Sequence, residues 1–295
     1  MVILQLFANG IMKGSVYGLL AIGLTITYGV ARVLNFAHGE FVMLAMYAAF
    51  FIFDAFSIHP FISLLFMIPI FFVLGILIYK LMFRKLISSS GYVQIFTTAG
   101  LSMIIQNACL LFFSSDPRYV PITSMNKIFK IKLFGGVLRL SLIDILGFTI
   151  AIILMLVLFG FLHFSFKGQC IRAVIDQRRG AMLVGLDVEA MYQLAISLGI
   201  ACVGAAGCVL VTSYNVAPSV GGNWKSIAFI AVILGGYNSL PGAVIASMII
   251  GLIESFVGFY ISSQLKEVAY FIIFLVVLVL RPNGLLGTKS TRVGR

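Results

Sequence analysis

The sequence predicts an all-α polytopic membrane protein of about 8–9 transmembrane helices, one of them short or broken, with a β-hairpin in an extracytoplasmic loop. Three observations predict it. First, 61% of the residues are hydrophobic, only 10% are charged, and the mean hydropathy is +1.14. A chain of that composition does not fold as a water-soluble domain. Second, uncharged runs repeatedly reach the roughly 20 residues that cross a bilayer's hydrocarbon. Third, these runs are continuously apolar, whereas a membrane β-barrel would alternate over segments of about ten residues.

The spans follow in order along the chain. Gly14 to Ala31 is uncharged and makes the first, with Gly14, Ser15, Gly18, Gly23 and Gly29 at roughly helical spacing for close helix packing. A polar phrase, Arg32 to Glu40, leads into a second apolar segment ending near Phe56. Phe61 to Tyr79 is closed by Lys80, Arg84 and Lys85, and Ser88-Ser-Ser-Gly91 marks a turn before the span from Tyr92 to about Phe113. Residues 114–141 form a long loop. Within it, Lys127 to Leu140 alternates polar with apolar around Gly135-Gly136, a hairpin signal with a two-residue turn. An open hairpin edge is not tolerated in hydrocarbon, so the loop belongs in water.

Ile145 to Leu162 and Ala190 to about Ser213 are further spans, separated by the polar stretch Phe166–Glu189. Trp224 to Leu240 is ambiguous. It is apolar, yet Gly235-Gly236 through Ser239 and Gly242 interrupts it, as in a half-helix that ends within the membrane beside a buried cavity. Gly242 to Tyr260 and about Gln264 to Leu280 complete the set. Arg281-Pro-Asn-Gly284 stops the last helix, and a basic tail carrying Lys289, Arg292 and Arg295 follows. The whole of 1–295 reads as one transmembrane domain. The first lysine is Lys13, so no basic region of a cleaved signal peptide is expected.

The net charge of +11 does not indicate nucleic acid, because the basic residues flank apolar segments, where they set topology and meet lipid headgroups. With Phe166–Glu189 and the tail in the cytoplasm, and if Trp224–Leu240 crosses, the N-terminus is outside and twelve of the 20 Lys and Arg face inward against eight outward. The four cysteines lack CxxC spacing, so neither a metal site nor a disulfide is expected.

Few residues offer chemistry. Asn35, His38 and Glu40 lie close together, as an acid–base pair would. They also suit a turn between spans, with Asn35 as N-cap and Glu40 in the first helical turn. Glu254 sits deep in an apolar run, where an ionisable side chain is expensive and marks a pathway or a packing contact; Asp144, near a span's start, reaches headgroups. No G-x-x-x-x-G-K-[ST] phosphate loop occurs, and Gly284-Leu-Leu-Gly-Thr-Lys-Ser290 lacks the Gly-Lys step. Any ATP hydrolysis must therefore come from another chain. The basic stretch 166–189 reads as a short helix across the inner face with Arg172, Arg178 and Arg179 outward, or as a loop that only holds topology.

Several phrases resemble one family. Asn9-Gly10, Gly14-Ser15-Val-Tyr-Gly-Leu-Leu-Ala-Ile-Gly-Leu-Thr25, Asn35-Phe-Ala-His-Gly39, Arg172-Ala173, Gly185, Gly204-Ala-Ala-Gly207, Leu234-Gly235-Gly236 with Ser239 and Gly242, and Arg281-Pro-Asn-Gly284 occur in family order over nearly the whole length. They are similar to permease subunits of bacterial ABC importers for branched-chain amino acids, the LivH/LivM type, and most of all to the LivH branch. The resemblance implies a permease of the bacterial inner membrane, not itself an enzyme and without a cofactor of its own. Its implied partners are two ATP-binding cytoplasmic subunits, a second permease subunit (identical or homologous) and an extracytoplasmic substrate-binding protein. It also makes Arg172, Ala173, Asp176, Ala181 and Gly185 candidates for coupling to the ATPase. Where family patterns carry an acidic or Ala-rich phrase, this chain reads Asp176-Gln-Arg-Arg-Gly180. Import of urea, an amide or another small polar solute is the alternative within the class. A stand-alone secondary transporter is the alternative outside it, and would draw on Glu254.

Overall fold

The computed structural model describes residues 1–121, 127–133 and 136–287. Helix α1 (Val2–Ala31) is followed by α2 (His38–Phe56) and α3 (Pro60–Ile78); a π turn (Tyr79–Phe83) carries α3 into a last turn, α4 (Arg84–Leu86). Then come α5 (Gly91–Phe113), the hairpin β1 (Ile128–Leu133) and β2 (Gly136–Ser141), and α6 (Leu142–Phe164). Two short helices follow, α7 (Phe166–Asp176) and α8 (Arg178–Leu183), then α9 (Val188–Leu210), α10 (Val220–Gly235), α11 (Leu240–Tyr260) and α12 (Lys266–Leu280). Eight helical stretches among the described residues are long and apolar enough to cross a membrane, and α10 is a shorter apolar helix.

Helix α1 is the hub. Its 30 residues extend about 45 Å at about 1.5 Å per residue, beyond the about 30 Å of hydrocarbon. It is buried almost throughout and packs against α11, α9, α6 and α10. Small residues permit this: Gly10, Gly14 and Gly18 recur every fourth residue; Gly10 and Gly14 meet the α11 backbone at Gly251 and Ser247, and Gly18 lies against the side chains of Ser247 and Met155. At the other extreme α12 and α5 expose most of their apolar surface, as helices facing lipid or a partner subunit do.

The two ends of the bundle are distinct. Gln5, at the start of α1, exchanges hydrogen bonds with Arg139 of β2, donating to its carbonyl (2.6 Å) and accepting from its N–H (2.8 Å). The hairpin thus sits where α1 begins. At the other end of α1, Gly29 lies against Ile175 of α7, so α7 and α8 cover the opposite mouth. The hairpin register pairs Leu133 with Gly136, so Gly136 already belongs to β2. The rest of the expected Gly135-Gly136 turn lies outside the described residues, as do Lys289, Arg292 and Arg295 of the tail.

The ambiguous segment resolves into two elements. Helix α10 begins at Val220, four residues before the expected start, and runs from the hairpin end to the α7 end. At 16 residues it extends about 24 Å, short of a full crossing. Gly235-Gly236 is not a mid-span break but the C-terminal end of α10, where Gly236 takes φ +102. The turn returns into α11, whose N-cap Ser239 accepts from the N–H of Gly242 (3.1 Å). The final carbonyls of α10 are satisfied by the chain's own C-terminal segment, because Leu285 N–H donates to Leu234 O (2.8 Å) and Leu286 N–H to Gly235 O (3.1 Å). Arg281-Pro-Asn-Gly284 therefore does more than stop α12; it seats a cap on another helix.

Gly284 has φ +79, and a Cβ there would lie 2.6–2.8 Å from Gly236 and from the Ile233 carbonyl. Gly284→Val should accordingly lose about 1–3 kcal/mol of stability, from a strained φ and the displaced cap. A thermal melt of the solubilised protein checks this, and an unshifted midpoint would refute the cap.

Candidate functional site

The phrase Asn35 to Glu40 forms the expected turn by a different device. The N-cap of α2 is Ala37, which lacks a capping side chain. Asn35 Oδ1 instead accepts from the N–H of Ala37 (3.1 Å), closing an Asx turn one step earlier. The turn is buried: after Arg32, at φ 52, the chain folds back along α1 until His38 Nε2 meets the Leu20 carbonyl (3.1 Å). Glu40 takes another direction. Its Oε1 accepts from Ser102 (3.0 Å) and its Oε2 is buried over Gly221, in the first turn of α10, with no hydrogen-bond partner among the described residues. The partial positive charge of that helix start favours a carboxylate. His38 and Glu40 thus engage different neighbours and do not form an acid–base pair.

The coupling candidates divide by exposure. Ala173, Asp176 and Gly185 are exposed, whereas Ala181 is buried. Gly185 has φ +82 with open space around it and ends the α8 turn. Arg172 departs from the outward orientation expected of it. It is half-buried, its Nε has no hydrogen-bond partner among the described residues, and it lines a cavity of about 300 Å³ with Asp176, Thr25, His163 and Asn238. The amphipathic face of α7 is responsible, since Ile171, Val174 and Ile175 turn toward the bundle and carry Arg172 with them. Arg178 stacks over Tyr192 (5.4 Å), and Arg179 is exposed. Leu183 (88%), which ends α8, and Val184 (77%), just after it, put two highly exposed apolar side chains together at one tip of this loop, and Phe166 (77%) lies at its start.

The densest polar cluster lies toward the hairpin end, around Glu254. Its side chain is 9% exposed. Lys13 Nζ stands 3.1 Å from Oε1 and Lys266 Nζ 3.6 Å from the same oxygen, while Tyr17 donates its hydroxyl to Oε2. The Tyr17 hydroxyl also meets that of Tyr214 (3.1 Å), whose ring packs edge-on against Trp224 at 4.9 Å. Three helices meet here. Lys13 and Tyr17 are four apart on α1 and share a face, Glu254 comes from α11, and Lys266 opens α12.

Two cavities flank the Tyr17–Tyr214 pair. One, of about 380 Å³, opens toward Lys13 and Asp144; the other, of about 330 Å³, toward Glu254, Lys266 and Glu267. Asp144 therefore faces a cavity rather than headgroups alone. Of this cluster only Glu254 was singled out from sequence. Lys13 and Lys266 read as topology charges, and Tyr17 carried no assigned role. The four-residue spacing of Lys13 and Tyr17 was the one available hint. Gly235, Gly236 and Ser239 lie at the other end of the bundle and are not part of the cluster.

Comparison with known proteins closes the description. Residues 6–280 match the family model for the branched-chain amino acid transport system / permease component. The high-affinity branched-chain amino acid transport system permease protein BraD of Pseudomonas aeruginosa is 30% identical, over 96% of this chain and 95% of the relative. LivH of Escherichia coli, of the same description, is 29% identical over the same shares. The probable branched-chain amino acid transport permease protein LivH of Methanocaldococcus jannaschii is 28% identical, over 99% of this chain and 95% of its own. No solved structure matches the chain.

Proposed function

This chain belongs to the branched-chain amino acid transport permease family, and on that premise we propose that it moves branched-chain amino acids inward as the membrane-spanning subunit of an ATP-driven importer. As a family member it is an ABC transporter permease of the inner membrane, multi-pass and not an enzyme. The observation that carries the finer reading is the match along residues 6–280 to transport permeases, in a sequence with no phosphate-binding loop. ATP is used by partner subunits, and this chain requires no cofactor. Two ATP-binding subunits act from the α7–α8 side, and a second permease, identical or homologous, completes the pore. A binding protein docks on the hairpin side.

Alternating access follows from this arrangement. ATP binding favours one state of the permease only if the partner contacts the two states differently. Loop 166–189 is where such a contact can act, because α7 lies against α1, α6 and α9 while its outer side and the α8 tip remain open. Leu183 and Val184 are suited to a groove on the ATPase. Burying each is worth about 1.5–3 kcal/mol, so aspartate at both should weaken the contact by about a hundredfold or more. The double variant Leu183→Asp with Val184→Asp should therefore reach the membrane normally yet neither retain the ATPase in pull-down nor support uptake. Unchanged retention would remove this tip from the coupling surface.

A secondary transporter would need a carboxylate free to exchange an ion. Glu254 is already held by two lysines and a tyrosine, which weighs against that reading. Labelled leucine uptake in vesicles tests the proposal. It should stop when ATP is depleted with the ion gradients intact, and unlabelled isoleucine and valine should compete where urea does not. Competition by urea or amides would instead select the alternative cargo.

A further inference from the structure

We propose that the cavity between α10, α11 and the start of α12 is an entry site for zwitterionic amino acids, in which Lys266 receives the α-carboxylate and Glu267 the α-ammonium. This assignment rests on the amino-acid cargo proposed above. Four observations carry it.

The first is the weak hold on Lys266. Lys13 and Lys266 share a single oxygen of Glu254, and the other oxygen is taken by Tyr17. Lys266, at 3.6 Å, is the more weakly held of the two lysines. A second carboxylate arriving from the hairpin side finds a cation with spare capacity, while Glu254 keeps Lys13 and Tyr17 as partners.

The second is the neighbour of that cation. Glu267 is exposed and lines the same cavity, so one wall presents a positive and a negative group side by side, the complement of a zwitterion. A plain anion site would gain nothing from Glu267.

The third is the apolar wall. Trp224 and Ile227 are buried and line the cavity, with Val220 beside them. An aliphatic side chain placed there leaves water without displacing a polar group.

The fourth is an unused donor. The indole Nε1 of Trp224 is buried and has no hydrogen-bond partner among the described residues, although a buried N–H ordinarily has one. The ring belongs to the wall of this cavity, so a bound carboxylate could supply the missing acceptor after a small shift of the ring. The roughly 330 Å³ of space falls at the lower end for small-molecule sites.

Trp224 is the chain's only tryptophan and therefore reports on the site. Indole fluorescence of the full chain, purified in lipid-free detergent, should change saturably with L-leucine. It should not change with leucinamide, which lacks the carboxylate, or with 4-methylpentanoate, which lacks the ammonium. Lys266→Met should weaken the leucine response at least about tenfold, Lys266→Arg should largely restore it, and Glu267→Gln should weaken it as well. Asp144→Asn, across the Tyr17–Tyr214 pair, should leave it unchanged.

An equal response to inorganic phosphate would make this an anion site, and an equal response to phosphoethanolamine a lipid-headgroup site; either would overturn the proposal. It also falls if leucine leaves the indole signal unchanged while Lys266→Met and wild-type complexes take up leucine alike, a result that leaves the cargo reading intact. If the complex takes up no branched-chain amino acid but the indole responds to another zwitterion through Lys266 and Glu267, the cargo reading falls and the site stands.

Discussion

Leucine in place of Gly14 is expected to prevent the bundle from assembling. A Cβ at this position would lie 2.6 Å from the Met248 Cα and 2.9 Å from the Ser247 carbonyl, so the obstacle is backbone and cannot rotate away. In lipid the hydrophobic effect does not hold helices together, because the solvent is as apolar as the side chains. Close van der Waals contact across small residues is what remains. Overpacking typically costs about 1–3 kcal/mol. Here it would wedge apart α1 and α11, and α1 is the element against which α6, α9 and α10 also pack. Gly14→Leu should therefore give little monodisperse protein on size exclusion after extraction. Gly100→Leu is the matched control, because nothing lies within 4 Å of a Cβ on Gly100. Equal yields from the two would show that the α1–α11 contact does not depend on its glycines.

Removal of the Glu254 carboxylate should have the next largest effect. Glu254→Ala leaves Lys13 and Lys266 without the carboxylate they share and the Tyr17 hydroxyl without its acceptor. Breaking a buried ion pair in this way costs about 3–5 kcal/mol. The low end applies, since the side chains of Lys13 and Lys266 are 37% and 25% exposed and can turn to water. A clear fall in melting temperature is the expected result. The triple variant Lys13→Met, Glu254→Met, Lys266→Met sharpens the test, because apolar replacement of a whole buried ionic cluster is often neutral. It should recover most of the stability while uptake stays lost. Recovery of both would reduce the cluster to a packing device.

The elements read most readily from sequence were those whose cause is local. The apolar runs, the hairpin alternation from Lys127 to Leu140, and the punctuation at Ser88–Gly91 were legible because each depends on residues adjacent in the chain. Misreadings came where a local signal was put to a distant use. Gly235-Gly236 was legible as the end of a short span or a half-helix, and it is the end of the short α10, but its capping by residues 285 and 286 was not legible. Asn35 has the composition of an N-cap, yet it closes a turn that lets His38 reach Leu20. Arg172 was expected outward with the other basic residues, but the apolar face of α7 draws it inward.

The candidate site was the least legible part. Lys13, Tyr17, Glu254 and Lys266 come from three helices at opposite ends of the chain. Glu254 alone stood out, because a carboxylate within an apolar run has a cost that composition exposes; a lysine at the edge of a span is ordinary. By itself the sequence determined the membrane class, the number and rough limits of the spans, and the absence of an ATPase motif, since partition into lipid and short motifs depend on neighbouring residues. Only the tertiary structure decided which charges face one another. Approach of α1 to α11 through Gly10, Gly14 and Gly251 brings Lys13 and Tyr17 to Glu254, and ion pairs form by distance in space, which sequence separation does not encode.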